Sequence, residues 1–321
     1  MQQLENTVLI CGAGQLGSRY LQGLSKSIIP LNIYVQDIFK DSLLQAEERW
    51  NETVGDNTSH SVFFYESLEN IPKNINIAII STTAEVRASL VVNIRAVIDV
   101  GFWILEKVLA QNEADLEIIY KQVKECSGAW INTPRRMMSW HQQIKKSLYN
   151  GTPVNLEVKG GDWGLACNAI HLIDLVAWWT GESLQSVDVS GLNSEWFESK
   201  RKGYWEINGT LEACFSKGSS LKLTSESNNN PVTMIAHEQD LSWHINEIDG
   251  VAKCSNGEEI VGRLQYQSEI TAQIIESIIN EGRCSLPTID ESISQHRVFL
   301  KSLQQHWDRA STKNSDSVPI T

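Results

Sequence analysis

Several features that mark particular classes of protein are scarce in this 321-residue sequence. Basic residues are outnumbered, with 27 Lys and Arg against 39 Asp and Glu, and the net charge of −12 argues against a nucleic acid or an anionic membrane as a partner. No apolar run reaches the ~20 residues that a membrane-spanning helix needs. The six cysteines show no C-x-x-C spacing, which argues against a zinc site or a redox dithiol.

Metal-binding and targeting signals are equally sparse. The histidines show no H-x-x-x-H spacing, so we expect no metal. The first predicted strand starts at Thr7, which leaves no room for a signal peptide. Together with the scattered cysteines, this predicts a cytoplasmic protein with reduced thiols. The length of the chain favours two domains, because single cores stop growing below ~300 residues.

A glycine-rich turn near the N-terminus is the most informative motif. The apolar residues 7–11 run directly into G-x-G-x-x-G at Gly12, Gly14 and Gly17. Three glycines at this spacing allow a tight turn, a close approach of the backbone to a pyrophosphate, and close helix packing. A helix beginning at Gln15 would point its free N–H groups at the phosphates. The alternative is a glycine-rich turn in another kind of α/β domain.

An acidic residue at the end of the second predicted strand supports dinucleotide binding. Residues 31–36 predict that strand, and Asp37 follows it about twenty residues beyond the loop, where an acid can bind the adenine ribose hydroxyls. Asp37 would also repel a 2′-phosphate. Ile38 and Phe39 supply no arginine, and Lys40 is the one nearby cation in the sequence. The pattern therefore favours NAD(H) over NADP(H).

The first part of the chain, up to about residue 126, alternates between strand-like and helix-like stretches. This alternation predicts an α/β fold with a parallel sheet covered by helices, a Rossmann dinucleotide-binding domain over residues 1–127. The predicted strands are 7–11, 31–36, 61–66, 75–81 and 102–106, and the predicted helices are 15–27, 38–50, 84–98 and 112–126. The last helix opens with Asn112 as a candidate N-cap.

The remainder, residues 128–321, shows successive strands with few helices between them, which predicts an α+β domain with a largely antiparallel sheet. The predicted strands are 129–133, 153–160, 184–190, 209–215, 219–225, 231–238 and 241–248, and the predicted helices are 139–149, 166–180, 267–281 and 289–308. The polar tail from Ser311 predicts a loose segment.

Two residues are candidates for acid–base chemistry. Lys107 ends a predicted strand, at the carboxyl edge where α/β sheets place ligands, and its ammonium could stabilise a developing oxyanion. Alternatively, it is a surface lysine paired with Glu106. His171 shares a helix face with Asn168 and Asp174, whereas the opposite face is apolar; it could exchange a proton, with Asp174 orienting its ring. Alternatively, it is a core histidine satisfied by a carboxylate.

Two further residues are weaker candidates for substrate contact. Arg136, just before a predicted helix, could meet a carboxylate or phosphate. The alternative, which the sequence favours, is a solvent-facing arginine pair with Arg135. Asp162 lies in a glycine-rich stretch beside Trp163, in a loop that could bend toward a ligand.

The order of these motifs resembles the glucose–fructose oxidoreductase, inositol dehydrogenase and MocA (Gfo/Idh/MocA) family over essentially the whole chain. The landmarks are the glycine-rich loop with Asp37, the segment 80–83, the segment 105–107, which resembles a Glu-Lys-Pro motif, and the helix around His171. The resemblance implies a catalytic role for Lys107 and His171. It also implies that the last helix, at about 289–308, packs back onto the first domain.

The resemblance and the residue patterns together define the expected site. Substrate contacts are expected from Asn168, Asp174, Arg136 and Asp162. Cofactor contacts are expected from Gly12, Gly14, Gln15, Leu16, Gly17, Asp37, Ser81, Thr82 and Glu106. The chain departs from the family at two positions: Val108 stands where the family has proline, and Cys167 stands where it has an aspartate. The second departure alters the acid–base set, and Asp162 is a candidate replacement for the missing carboxylate.

Two functions are compatible with these patterns. The first is an NAD(P)-dependent oxidoreductase that acts on a sugar, sugar nucleotide or related polyol in a cleft between the two domains, as a homodimer or homotetramer. The second is a dinucleotide-binding sensor or partner protein that has lost hydride transfer, which Cys167 and Val108 would explain. Cofactor binding with turnover, or without it, distinguishes the two.

Overall fold

The structure, a computed structural model, describes residues 6–55, 58–149, 151–310 and 315–321. The chain divides into two compact units. The first comprises residues up to 109, 117–132 and 265–289, and the second comprises 110–116, 133–264 and 290–321. No helix within the described ranges combines the length and the apolarity needed to cross a membrane.

The first unit contains a six-stranded parallel sheet in the order β3-β2-β1-β4-β5-β6, which confirms the Rossmann-like prediction. The sheet and its helices are β1 (Thr7–Cys11), α1 (Gln15–Leu24), β2 (Asn32–Gln36), α2 (Lys40–Thr53), β3 (Ser61–Tyr65), β4 (Asn74–Ile80), α3 (Ala84–Val97), β5 (Asp99–Leu105), α4 (Glu113–Val123) and β6 (Gly128–Ile131). Most of the central strand β1 is fully buried, as expected for a parallel sheet with both faces covered.

The described residues after β6 form an eight-stranded sheet, one short 3₁₀ helix and four α-helices. The elements are a short 3₁₀ helix (Pro134–Met137), α5 (Ser139–Ser147), β7 (Asn155–Gly160), α6 (Leu165–Thr180), β8 (Leu184–Glu198), β9 (Trp205–Phe215), β10 (Ser220–Ser225), β11 (Thr233–Glu238), β12 (Leu241–Asn246), β13 (Val251–Cys254), β14 (Glu259–Val261), α7 (Gln267–Glu281) and α8 (Ile289–Ala310).

The strand order of this second sheet is β14-β13-β12-β11-β7-β10-β9-β8. Only β7 and β10 pair in parallel among its described strands, which confirms a largely antiparallel sheet. Buried and exposed side chains alternate along β7, so one face of the sheet packs on the core.

The structure differs from the sequence patterns at two places. The segment predicted at 129–133 as the first strand of the second domain is β6, and it pairs in parallel with β5 at the edge of the first sheet. Its buried apolar residues give the same signal in either sheet. The strands β13 and β14 were not predicted, because three or four residues are too few to establish an alternating pattern.

The last two helices belong to different units. Helix α7 packs against α1 in the first unit, where a Cβ on Gly23 would lie 2.6 Å from the Cβ of Thr271. Glu276 of α7 also accepts hydrogen bonds from the Ser27 hydroxyl at 2.9 Å and the Ile28 N–H at 2.7 Å. Most of α8 is grouped with the second unit. The predicted domain limits and the packing of the last helix on the first domain stay predictions.

The C-terminal tail was predicted to be loose. The residues 311–314 of that prediction lie outside the described residues. The described part, 315–321, packs closely: Val318 and Ile320 are fully buried in the second unit. The burial of Val318 and Ile320 was not predicted, because the residues before them are polar.

Candidate functional site

The glycine-rich loop between β1 and α1 is shaped by its lack of side chains. Gly12 has a φ of +94°, and a Cβ there would lie 2.9 Å from the Thr82 nitrogen. A Cβ on Gly17 would lie only 1.7 Å from the Gly12 carbonyl oxygen. A Cβ on Gly14, by contrast, would meet no atom within 4 Å. Two of the glycines are therefore required by the fold, and the third leaves open space beside the start of α1.

That open end of α1 fits a dinucleotide. Gly14 and Gln15 are exposed, and Leu16 is half-buried. Among the described residues, no side chain caps the helix N-terminus. The first N–H groups of a helix have no partner within the helix, so an uncapped and exposed terminus is suited to bind an anionic pyrophosphate.

Asp37, at the end of β2, is held against this loop. Its Oδ2 accepts a hydrogen bond from the Ala13 N–H at 2.6 Å, and its Oδ1 accepts one from the Phe39 N–H at 2.9 Å. A carboxylate offers about four acceptor positions, so Asp37 retains the capacity to accept hydrogen bonds from ribose hydroxyls.

The turn after β4 is attached to the same loop. Ser81 donates its N–H to the Cys11 carbonyl at 2.9 Å, and its hydroxyl lies 2.7 Å from the Gly12 carbonyl. The adjacent Thr82 has a buried hydroxyl with no hydrogen-bond partner among the described residues. A hydroxyl in this situation gains a hydrogen bond when its side chain turns toward a bound ligand. The structure thus brings Ser81 and Thr82 together with the glycine-rich loop.

A second cation lies near the loop, which sequence reasoning missed. Arg49, in the third turn of α2, donates a hydrogen bond to the Gln15 side-chain oxygen at 2.7 Å and another to the Ser18 hydroxyl. Lys40 is therefore not the one nearby cation. The contact could not be inferred from the sequence, since it joins residues 34 positions apart on separate helices.

Lys107 follows β5, and a buried arginine hydrogen-bonds to the backbone of the residues after it. Arg87, 1% exposed, donates hydrogen bonds to the carbonyl oxygens of Val108, Leu109 and Thr82, the one to Leu109 being 3.0 Å long. The Lys107–Val108 peptide bond is cis. Lys107 itself is half-buried between two fully buried neighbours in the sequence. Arg87 thus connects the segment after Lys107 to the turn after β4.

Glu106 lies deeper than a cofactor contact requires. Its side chain is buried and accepts hydrogen bonds from the Tyr20 hydroxyl at 2.5 Å and the Asn132 amide at 2.6 Å. Burial raises the pKa of Glu106, while these two donors act in the opposite direction. The sequence predicted a cofactor contact, and the structure places the Glu106 side chain in a buried polar cluster with Tyr20 and Asn132.

In the second unit, α6 carries the predicted polar face. Its apolar stripe of Leu165, Ala169, Leu172, Val176 and Trp179 is buried, as the sequence predicted. Cys167, Asn168 and His171 are half-buried. They occupy the first two turns of the helix, spaced so that Cys167 and His171 lie on one face. This is the part of α6 that a substrate could reach.

The N-terminus of α6 is capped by a distant acid. Glu206, on β9, accepts hydrogen bonds from the N–H groups of Ala166 at 2.9 Å and Cys167 at 3.2 Å. Gly164 precedes the helix with a φ of +74°. Sequence reasoning did not identify Glu206, because a cap supplied from another strand leaves no local signal.

Two other predicted substrate residues have protein partners. The Asn168 amide donates a hydrogen bond to the Trp163 carbonyl at 2.9 Å, which holds it at the start of α6. Asp162 is exposed, and its Oδ1 accepts a hydrogen bond from the Asn208 amide at 2.7 Å. The structure places both residues in or beside the loop before α6.

Asp174 and Arg136, both predicted to contact substrate, are paired with each other. Arg136 binds both carboxylate oxygens of Asp174, at 2.9 Å and 2.5 Å, and the Thr133 hydroxyl donates to the same carboxylate. Burial raises the pKa of Asp174, and Arg136 acts against that rise. Both side chains are less than 10% exposed. The pair therefore joins α6 to the 3₁₀ helix. The sequence suggested that Asp174 orients the His171 ring, but Arg136 binds both of its carboxylate oxygens.

A second, partly exposed ion pair involves the neighbouring Arg135 and was also missed. Arg135 binds both oxygens of Glu247 at 2.8 Å, and His141 lies 3.2 Å from one of them. Although burial raises it, the pKa of Glu247 is held well below its usual range by Arg135 and His141. The alternative of a solvent-facing arginine pair is therefore wrong, because Arg135 is bound by Glu247 and Arg136 by Asp174. Among the described residues, no group of three or more His, Cys, Asp or Glu could hold a metal ion.

Comparison with known proteins gives a match in structure only. No protein-family model matches the sequence, and no curated protein sequence does. The solved structures with similar folds include UDP-N-acetylglucosamine 3-dehydrogenase from Acidithiobacillus ferrooxidans, with 14% identity, a TM-score of 0.69, and coverage of 94% of this chain and 97% of that one.

Two further structures show the same similarity. Levoglucosan dehydrogenase in complex with NADH has 14% identity, a TM-score of 0.70, and coverage of 96% and 98%. Myo-inositol 2-dehydrogenase from Lactobacillus plantarum has 16% identity, a TM-score of 0.66, and coverage of 94% and 97%. The chain therefore shares the two-sheet fold of these dehydrogenases, which agrees at the level of the fold with the resemblance to the Gfo/Idh/MocA family.

Proposed function

We propose that this chain, which has the fold of the Gfo/Idh/MocA dehydrogenases, is an NAD(P)-dependent oxidoreductase that acts on a sugar, sugar nucleotide or related polyol. The observation that carries the proposal is the open, uncapped N-terminus of α1 beside Gly14, with Asp37 fixed next to it. The names of the similar structures support the substrate class, since each is a dehydrogenase of a sugar, sugar nucleotide or cyclitol.

The cofactor would be held by the glycine-rich loop. The N–H groups of Gln15 and Leu16 would face the pyrophosphate, and Asp37 would accept hydrogen bonds from the adenine ribose. NAD(H) is favoured because a 2′-phosphate would meet the Asp37 carboxylate. Arg49 donates to the neutral oxygens of Gln15 and Ser18 and keeps its positive charge, so its influence on a 2′-phosphate is tested by comparing NADH with NADPH binding. When bound, the nicotinamide ring supplies the hydride acceptor or donor.

Two residues would perform the proton chemistry. We assign Lys107 the role of donating a hydrogen bond from Nζ to the reacting oxygen, which stabilises its alkoxide form. His171 would take the hydroxyl proton in oxidation and return it in reduction, because an imidazole ring can both accept and donate a proton. Arg87 would act indirectly, by holding the backbone that follows Lys107, and the Glu106 side chain before it is bound by Tyr20.

The protein is also proposed to associate with itself. The outward-facing residues of β7 in the eight-stranded sheet include exposed Asn155, Glu157 and Lys159. An antiparallel sheet with one solvated face offers a surface for pairing with a second copy, so a homodimer or homotetramer is expected.

The test combines cofactor binding with turnover. NADH and NADPH binding are measured by fluorescence quenching, and a panel of sugars, sugar nucleotides and polyols is then screened by the absorbance of the reduced cofactor. We expect tighter binding of NADH and turnover of at least one compound. No binding of either dinucleotide would refute the proposal.

The Lys107→Met variant makes this test specific to the proposed chemistry. Turnover is expected to fall by about 10²–10³-fold, because the variant loses an oxyanion-stabilising donor, whereas NADH affinity is retained. Lys107→Arg is the matched control that keeps the positive charge. Unchanged turnover of the methionine variant would remove Lys107 from the mechanism.

The sensor function remains the second candidate, and Cys167 favours it. Its thiol contacts a backbone carbonyl and supplies no carboxylate at the position where the family has an aspartate. This function predicts NADH binding without turnover on the whole panel, together with a cofactor-dependent change in association with a protein partner.

A further inference from the structure

Arg49, on α2, is joined through its side chain to the first turn of α1. One terminal nitrogen of its guanidinium donates to the Gln15 side-chain oxygen at 2.7 Å, and the other donates to the Ser18 hydroxyl. The Ser18 hydroxyl in turn donates to the Gly14 carbonyl at 2.9 Å. These contacts hold the half-buried guanidinium beside the residues whose N–H groups are proposed to face the pyrophosphate.

No acid in the described part of the chain neutralises the charge of Arg49. Both partners of its side chain are neutral oxygens, whereas Arg135 and Arg136 each bind a carboxylate. Glu52 follows Arg49 by about one turn of α2 and is exposed, yet the guanidinium is directed toward α1 instead. A guanidinium has more N–H donors than these two contacts use, so Arg49 keeps both its charge and further capacity to donate.

Packing explains the contacts of Arg49 but not its charge. The helices α1 and α2 are also joined by the Gln22 amide, which donates to the Thr53 hydroxyl at 3.3 Å. An uncharged donor could bind Gln15 and Ser18 equally well. A cation beside a helix N-terminus is unfavourable by itself, because it meets the positive end of the helix dipole. An anion bound at the same place removes this cost and gains from both positive charges.

We propose that Arg49 supplies positive charge to the N-terminus of α1 and thereby strengthens the binding of the dinucleotide through its pyrophosphate. This inference rests on the proposed oxidoreductase function. Unit charges still attract appreciably over several ångströms near a protein surface, so the effect does not require direct contact. Both hydrogen bonds of the guanidinium are with α1, and neither is with Asp37, where the ribose would bind. The charge therefore acts on the pyrophosphate that NAD(H) and NADP(H) share.

The first test uses Arg49→Met, which removes the charge and keeps a long side chain. The dissociation constants of NADH and NADPH are measured by fluorescence quenching. Both affinities are expected to fall about fivefold to twentyfold, because one attractive charge is lost. The matched control is Arg19→Met, at an exposed arginine of α1 whose side chain binds Gln22 at 2.7 Å. It removes the same charge without changing a contact of the loop, and affinity should change by less than about twofold.

The dependence on ionic strength separates a role of the charge from a role of the shape. The difference in NADH affinity between the natural protein and Arg49→Met should shrink as NaCl is raised from about 50 mM to about 500 mM, because salt screens charges. Arg49→Lys keeps the charge and should retain most of the affinity. The melting temperature of each variant shows that it is folded. A lysine variant as weak as the methionine variant, with no dependence on salt, would overturn the proposal.

The same titrations separate the failure of this inference from the failure of the proposed function. If the natural protein binds neither dinucleotide, the proposed function is refuted and the inference with it. If the natural protein binds NADH and Arg49→Met binds it equally well, only the inference is overturned. A loss confined to NADPH would also overturn the inference, because Arg49 would then act on the 2′-phosphate and not on the pyrophosphate.

Discussion

The glycine-rich loop and the accessible face of α6 are built in opposite ways. The loop depends on missing side chains, and the three glycines that shape it lie within six positions, residues 12–17, although Asp37 and Ser81 bind the loop from further along the chain. The face of α6 depends on side chains that arrive from distant parts of the sequence: Glu206 caps it, Arg136 binds its buried acid and Thr321 contacts its first turn. A backbone site is therefore encoded locally, whereas a side-chain site exists only in the folded chain.

The largest effect is expected where the α6 region loses a distant partner. Arg136→Met would leave the Asp174 carboxylate, 1% exposed, without its counter-ion. The unfolding free energy should fall by about 3–5 kcal/mol, the usual cost of an unpaired buried charge. Urea unfolding measures it. Adding Asp174→Asn should recover part of the loss, and a fall below ~1 kcal/mol would mean that the pair is no more important than a surface ion pair.

Gly17→Ala tests whether the loop has an equally strict packing requirement. The new Cβ would lie 1.7 Å from the Gly12 carbonyl oxygen, so the backbone of the turn must shift. We expect a loss of about 1–3 kcal/mol in unfolding free energy, which is typical of an overpacked site, and a lower melting temperature. An unchanged melting temperature would show that the close approach of α1 to β1 is not required.

Gly14→Ala is the matched variant that sharpens the comparison. Its Cβ meets open space and the φ of −61° suits alanine, so stability should change by less than ~0.5 kcal/mol. NADH affinity should fall by about tenfold or more, because the methyl group occupies the path of the pyrophosphate. Fluorescence titration measures the NADH affinity of the Gly14→Ala variant and of the natural protein. Equal affinities would mean that the dinucleotide does not bind beside Gly14.

The smallest effect is expected at Glu106, and it depends on pH. Because burial raises the pKa of Glu106 above its ordinary value of 4.5, folding favours the protonated form. Its contribution to stability is present at low pH and is lost as pH rises through the raised pKa. Glu106→Gln keeps an acceptor oxygen for Tyr20 and Asn132, so the two proteins should agree within about 1 kcal/mol in acid.

The unfolding free energy of the Glu106→Gln variant should then rise relative to that of the natural protein as the pH is raised toward neutrality. Urea unfolding at a series of pH values measures the difference. A constant difference at all pH values would show that Glu106 does not change its protonation on folding.

The sequence was informative where structure follows from neighbouring residues. The strand at 7–11, the helix at 267–281 and the Asn112 cap, whose side-chain oxygen accepts the Asp115 N–H at 2.7 Å, all have local signals. The face of α6 was correctly divided into a buried apolar stripe and a polar side.

The partners of that polar side could not be predicted. Asp174 and Arg136 lie 38 residues apart. The sequence does not show whether these two side chains bind a ligand or bind each other. A hydrogen-bonding side chain on a helix indicates only that some partner exists. Tertiary packing decides which partner that is. The C-terminal tail is a similar case, because the burial of Val318 and Ile320 could not be predicted from the polar residues that precede them.

The Glu206 cap has a consequence for the charge of what α6 can accept. The positive end of a helix usually attracts phosphate, but here a carboxylate already occupies two of its N–H groups and cancels the local field. A phosphate approaching the first turn of α6 would meet a fixed negative charge instead of open donors. These two N–H groups are therefore already occupied, and if the proposed function holds, we expect the phosphates of a nucleotide-linked sugar to be bound away from this end of α6.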